Sequence, residues 1–185
     1  MPDFTIPDLP VLEGETIRLR PWTHDDSATV IEAGADSFIP VITTVPAGAD
    51  EAAAHEFVDR QIGRPESDYG HARVIADRDT DQALGHLYVS MIFLKVGRAE
   101  MGYWILERHR RRGLTAAALE LAASWVLTNT EVQRVTLYIE PWNEGSIGVA
   151  RRAGFQEDGL LRGWETYDDG VPRDMLSFGR LRGDR

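Results

Sequence analysis

No cysteine occurs among the 185 residues, which excludes disulfides, thiolate metal ligands and cysteine nucleophiles together. Long apolar runs are missing as well. The longest, Leu87 to Leu94, is broken by Ser90 and falls well short of the roughly 18 residues a membrane helix needs. The opening Met1-Pro2-Asp3 carries neither a basic region nor an apolar segment, so a cytoplasmic protein is expected, with no membrane partner. His24, His55, His71, His86 and His109 share no ligand spacing and no HExxH pattern, and no metal is expected. Neither GxGxxG, nor GxxxxGK[ST], nor a GxSxG elbow is present, which disfavours a plain nucleotide binder and a serine hydrolase. Basic charge is in deficit, 20 Lys+Arg against 30 Asp+Glu, a net of −10. With a pI near 4.9, the chain lacks the positive charge that non-specific nucleic-acid binding requires.

What is present is the composition of an ordinary soluble domain, 43% apolar and 27% charged. The length suits one domain spanning residues 1–185, and no repeat, low-complexity tract or linker divides it. The charge is uneven. Residues 1–95 carry 7 basic and 17 acidic residues, whereas residues 96–185 carry 13 of each. Two reasons are open: chance variation between two solvated surfaces, or an anion handled by the second half and a cation attracted by the first.

The local pattern predicts a mixed α/β chain. In Thr16 to Trp22, Ile17 and Leu19 alternate with Arg18 and Arg20, as in a half-buried strand. Thr23 before His24-Asp25-Asp26 predicts a capped helix to about Ala33, ended by Gly34. Residues 35–49 contain Pro40, Pro46 and Gly48 and read as irregular. Asp50 caps a second helix, Glu51 to about Arg64, with Ala54, Phe57, Val58 and Ile62 on its apolar side and Gly63 and Pro65 closing it. From Tyr69 onward three strands follow, His71 to Ala76, Ala83 to Leu94 and Ala99 to Leu106, and their short turns predict an antiparallel meander. Gly113 to Thr128 is the clearest helix, with Leu114, Ala118, Leu121, Ala122, Trp125 and Val126 on one stripe. A strand from Val132 to Glu140 and a short helix from Ser146 to Ala153, ended by Gly154, come next. Phe155 to Thr166 and Arg173 to Leu181 close the chain as a hairpin through Asp168-Asp169-Gly170.

The chemistry concentrates between the third meander strand and the long helix. Arg108, Arg110, Arg111 and Arg112 precede a helix N-terminus, where partial positive charge makes cations unfavourable. An anion docked on the free N–H groups would reverse that sign, and Gly113 would let the backbone approach it. A solvated basic loop is the alternative.

The order of elements, with Arg110-x-x-Gly113-x-Thr115 at this junction, resembles the GCN5-related N-acetyltransferase superfamily, whose pyrophosphate loop reads Q/R-x-x-G-x-G/A. Thr115 replaces the usual small residue. Gly102-Tyr103-Trp104-Ile105, Asn143-x-x-Ser146 and Ala153-Gly154-Phe155 look like the ribosomal-protein N-acetyltransferase branch. The resemblance runs from Thr16 to Leu181 and implies an α+β fold, a mixed and mostly antiparallel sheet of about seven strands flanked by about four helices. Many members carry a tyrosine acid where this chain has Ala150; Ser146, one helical turn earlier, can serve the same spot.

The resemblance implies transfer of an acetyl group from acetyl-CoA to a primary amine, by direct transfer in a ternary complex. Backbone amides of Arg111, Arg112, Gly113, Leu114 and Thr115 would hold the pyrophosphate, with Arg110 anchoring the motif. The backbone of Trp104, Ile105 and Leu106 would pair with pantetheine as an added strand does. Asn143 would bond the pantetheine arm, and Ser146 would protonate or bind the departing sulfur. Glu100 would take the proton from the amine, directly or through water; an exposed strand glutamate is the plainer alternative. The branch suggests a protein N-terminal α-amine as acceptor and a homodimer as assembly, while polyamines and antibiotics are also acceptors of similar sequences. A catalytically silent acyl-CoA sensor is the reading from another class. The acidic first half, expected to supply the helices flanking the acceptor cleft, would favour a cationic acceptor.

Overall fold

A computed structural model describes residues 7–64, 70–167 and 170–184. The strands are β1 (Leu12–Glu13), β2 (Ile17–Arg20), β3 (Gly70–Asp77), β4 (Ala83–Ser90), β5 (Arg98–Ile105), β6 (Arg134–Ile139), β7 (Gln156–Thr166) and β8 (Pro172–Leu181). They form one sheet in the order β1-β2-β3-β4-β5-β6-β8-β7. Every pairing is antiparallel except β5 with β6. A parallel pair needs a crossover, and a long helix between β5 and β6 provides it.

The helices are α1 (Ser27–Gly34), α2 (Ile39–Ile42), α3 (Glu51–Ile62), α4 (Leu114–Asn129) and α5 (Glu144–Arg152). Two cores follow from the two faces of the sheet. One joins α4 and Ala150 of α5 to Leu87, Val89, Leu137 and Phe178. The other joins Val30, Phe57 and Val58 of α1 and α3 to Trp22, Val74 and Trp104. The meander β3-β4-β5 and the helix at Gly113 stand as the sequence predicts. The sheet has one strand more than expected because Leu12–Glu13 pairs with β2, a two-residue element too short for any periodicity to reveal.

Several expectations are corrected. The strand from Ala83 stops at Ser90, because the chain then enters a tight turn ending in left-handed Gly97 (φ 73°), which buries Met91 and Leu94 and leaves Ile92 and Phe93 exposed. On α3, Ile62 is 48% exposed and Gln61 takes the buried place, its amide donating to the Phe57 carbonyl (3.1 Å). On α4 the innermost residues are Ala118, Leu119, Ala122, Ala123 and Val126, with Leu121 and Trp125 packed at the margin. Residues 35–49 are not all irregular, since α2 lies among them. The turn at Asp168-Asp169, Pro65 and the start at Tyr69 lie outside the described residues.

The helix expected from His24 opens as a single 3-10 turn, His24–Asp26, before α1. Thr23 stands at its N-cap as expected, in a capping box with Asp26. The Asp26 carboxylate accepts from the Thr23 N–H (2.9 Å) and hydroxyl (3.2 Å), and takes two hydrogen bonds from Arg20 (2.8 Å each). Asp26 is 5% exposed. Burial alone would raise its pKa, but the bonds from Arg20 and Thr23 outweigh it and leave the carboxyl below its ordinary range. His71 Nε2 and Arg73, both on β3, bind the carbonyls of Pro7 and Leu9 and tie down the segment before β1.

Asp26→Ala is expected to cost about 2 kcal/mol in urea unfolding near neutral pH, since it removes the two-pronged partner of Arg20 and leaves that guanidinium only Asp81 (3.1 Å) as a counter-ion. The depressed pKa makes this stabilisation present above the unfolded carboxyl value and lost as pH falls through the folded one. The difference between wild type and variant therefore closes on acidification; a constant difference would mean that packing, not charge, carries it.

Candidate active site

Strands β5 and β6 pair at only three positions, Arg98 with Arg134, Ala99 with Val135 and Glu100 with Thr136. Both strands then continue, to Ile105 and Ile139, so a wedge opens between them. Two cavities of about 410 Å³ each meet in this wedge. Ile42, Tyr103, Trp104, Asn143 and Ser146 line both and mark the junction.

The edge that β5 offers to the wedge follows from its pairing with β4. Leu106 N–H donates to the Leu84 carbonyl (3.0 Å), so alternation turns the main-chain groups of Trp104 toward β4 as well. Met101, Tyr103 and Ile105 then direct theirs at the wedge. Of Trp104, Ile105 and Leu106, only Ile105 has its main chain on the open edge; Trp104 contributes its side chain to the junction. Leu106 is sealed in the core at 1% exposure and lines neither cavity.

One cavity ends at the arginine loop. Arg111 (φ 61°) and Gly113 (φ 80°) are both left-handed, a conformation that costs an arginine energy and a glycine almost none. No side chain caps α4, whose first N–H groups open onto this cavity beside Gly113, Leu114 and Thr115. The arginines do not all face it. Arg108 pairs with Glu32, Arg110 pairs with Asp36 while its residue still lines the cavity, and Arg112 lies outside it, against His109 Nδ1 (3.2 Å). Two acids of the first half, Glu32 and Asp36, thus neutralise arginines of the loop. Arg152 of α5, which sequence reasoning missed, lines the cavity with a guanidinium nitrogen 3.6 Å from where a Gly113 Cβ would stand.

Asp36 also accepts from the N–H groups of Phe38 (2.7 Å) and Ile39 (3.0 Å), so one carboxylate starts α2 and holds the loop. Burial pushes its pKa up, but these bonds and Arg110 bring it below the ordinary value. Phe38 meets Trp142 edge to face at 5.4 Å, joining α2 to the segment before α5. An Asp two and three residues before the N–H groups it satisfies, followed by Pro40 inside the first turn, was the available signal for α2.

At the junction, Asn143 Oδ1 accepts from the Ser146 N–H (3.0 Å) as the cap of α5. Ser146 is half-buried there, whereas Ala150 is fully buried in the core. Tyr103, also missed, donates its phenol to the Ser146 carbonyl (3.2 Å), and burial raises its pKa so that it stays protonated.

The second cavity holds Glu100, half-buried. Burial raises its pKa, opposed by Arg98 and by a hydrogen bond from Tyr138, and Glu165 raises it further. Glu140 and Glu165 line the same cavity, with Tyr167 pushed up to about 12 by burial and these two carboxylates. All three acids belong to the second half of the chain. On the β4 wall lies His86, whose Nδ1 accepts from the Trp22 indole N–H (3.1 Å) and whose ring stacks on Trp104 at 5.8 Å. Burial and the charge of Arg64 push its pKa down to about 3.

Residues 16–156 match the acetyltransferase (GNAT) domain family. The chain belongs to that family. The "uncharacterized N-acetyltransferase p20" of Bacillus licheniformis is 24% identical over 82% of this acetyltransferase and 85% of its own length. The ribosomal-protein-serine acetyltransferase of Escherichia coli is 28% identical over 60% of this chain and 62% of its own. Among solved structures, RimL, a ribosomal α-N-protein acetyltransferase in complex with coenzyme A, superimposes with a TM-score of 0.75. It is 18% identical, over 95% of this chain and 100% of that one. The wedge and the uncapped helix are therefore features of an acetyltransferase. Among the described residues, no helix is long and apolar enough to cross a membrane, and no group of His, Asp and Glu is placed to hold a metal ion.

Because Asp36 starts α2 and holds Arg110, Asp36→Ala is expected to destabilise by about 2–3 kcal/mol. Asp36→Asn, which keeps an oxygen for the two N–H groups, should cost less than half as much. Urea titration of both checks this, and equal losses would assign the effect to the ion pair alone.

Proposed function

We propose that the protein transfers the acetyl group of acetyl-CoA directly to a primary amine, and that the amine is the N-terminal α-amine of a protein. The observation that carries this is the wedge: a strand edge for an extended arm, ending at an uncapped helix that suits a pyrophosphate. The relatives' names support the acceptor, and a ribosomal-protein acceptor supports a cytoplasmic location. In this reading Arg111, Gly113, Leu114 and Thr115 hold phosphate oxygens through main-chain N–H groups, with Arg152 as the added cation. Thr115 lines the cavity and can offer its hydroxyl as a further donor, which offsets the bulk it adds.

The thioester then lies at the junction, where a main-chain N–H of β5 polarises its carbonyl. The amine attacks the carbonyl carbon, the C–S bond breaks, the CoA thiolate takes the proton of the Ser146 hydroxyl, and the proton lost by the acylated nitrogen restores that hydroxyl. Tyr103 sits beside Ser146 as a second hydroxyl. Glu100 lies four residues before Trp104, about 13 Å along the strand. It receives the ammonium proton through water, and with Glu140 and Glu165 it favours a cationic acceptor.

Calorimetry with acetyl-CoA is expected to give a Kd in the micromolar range, and no heat at millimolar cofactor would sink the proposal. Ser146→Ala should lower kcat about 100-fold while leaving that Kd within twofold; an unchanged kcat would remove Ser146 from the chemistry. For Glu100 the sign follows from its raised pKa. The base works only when deprotonated, so kcat/KM rises with pH through a value above the usual carboxylate range. Glu100→Gln should abolish that limb of the profile.

A further inference from the structure

His86 is 8% exposed, forms part of the wall of the acceptor cavity, and has one ring nitrogen committed. The Trp22 indole can only donate, so Nδ1 is an acceptor and the proton of the neutral ring sits on Nε2. Nε2 has no hydrogen-bond partner among the described residues. The ring is clamped by Trp22, Phe57 and Trp104, with centroids at 5.7, 6.0 and 5.8 Å, so it cannot swing away to find one. His86 stands directly opposite Trp104 in the β4–β5 register, one strand from the junction where the amine reacts. A rigid N–H donor left unpaired beside the reacting centre calls for an oxygen on the acceptor.

We propose that His86 is a specificity residue whose Nε2–H binds a carbonyl oxygen adjacent to the acceptor amine, the first peptide carbonyl of a polypeptide N-terminus. Trp22 is its positioning residue. The low pKa keeps the ring neutral, so it offers a donor without repelling the incoming ammonium. Arg64 on the same cavity wall adds positive potential that favours an oxygen at this end. The three carboxylates draw the ammonium and any further positive charge toward the β6 side. Plain alkylamines supply nothing for Nε2–H and leave it to water.

This inference rests on the amine-acetylating function proposed above. Its test compares a short peptide with an analogue in which an (E)-alkene replaces the first peptide bond, alongside an α-amino amide and a plain alkylamine. The wild type is expected to prefer the peptide over its alkene analogue about tenfold in kcat/KM, mostly through KM. His86→Phe should collapse that ratio toward one, and His86→Gln, which keeps an N–H, should restore part of it. Nitrogen NMR of the imidazole should report the Nε2–H form, and Trp22→Phe should mix the two tautomers. A wild type that does not distinguish peptide from alkene analogue, or a His86→Phe variant that slows both equally, overturns the inference while the acetyltransferase reading stands. Turnover of plain alkylamines alone overturns both the inference and the peptide acceptor. Turnover of α-amino amides but not of peptides overturns the peptide acceptor and, with it, the inference.

Discussion

The molecule depends on the early end of one parallel pairing. Gln133 and Arg134 both donate to the Gly97 carbonyl (2.7 and 3.1 Å), which pins β5 and β6 together at their starts. After three paired positions the main-chain ladder between the strands ends, and each keeps main-chain groups on the wedge side that only water or a ligand can satisfy. An added extended chain is the natural occupant, because it restores a ladder without rearranging either strand. Everything else in the site is placed relative to that vertex. The crossover brings α4 back with its N-terminus at the mouth, and β6 delivers Asn143 and Ser146 to the opposite bank.

Electrostatic order is local rather than regional. The first half of the chain is strongly acidic, yet two of its acids near the site, Glu32 and Asp36, are taken by loop arginines. The carboxylates that line the cavity beside Glu100 come instead from β5, the segment after β6, and β7. A half-by-half charge count averages over pairs like these, which is why it pointed to the wrong residues. Asp36 shows the tighter logic: one carboxylate starts a helix, quenches an arginine and sets the wall shared by both cavities.

Features repeated along the chain were legible in the sequence. Alternation in β2 and β6, the apolar stripe of α4 and the Arg110-x-x-Gly113 spacing are all one-dimensional patterns, and each marked its element. The family resemblance added Asn143, Ser146 and Glu100. What escaped were pairings across the fold. Trp22 and His86 are 64 positions apart, and nothing in either neighbourhood announces the other. Arg152 reads as a charge on a short helix until Gly113 is seen beside it, and Tyr103 reads as one more strand aromatic. Leu106 failed for a subtler reason: which residues of a strand face a partner depends on the parity of its hydrogen bonds, and periodicity of side chains carries no information on that.

The strand order has a consequence for how the protein is made. β8 lies between β6 and β7, so β6 meets its antiparallel neighbour only after the intervening hairpin strand has been synthesised. Until then a growing chain holds β1 to β5 in a sheet whose next strand has a bare outer edge carrying Val135, Leu137 and Ile139. Such an edge is a template for pairing with another chain. Vectorial synthesis therefore leaves the bank of the wedge that bears Ser146 as the late-maturing half, and the nascent protein passes through a sticky stage that the finished one conceals.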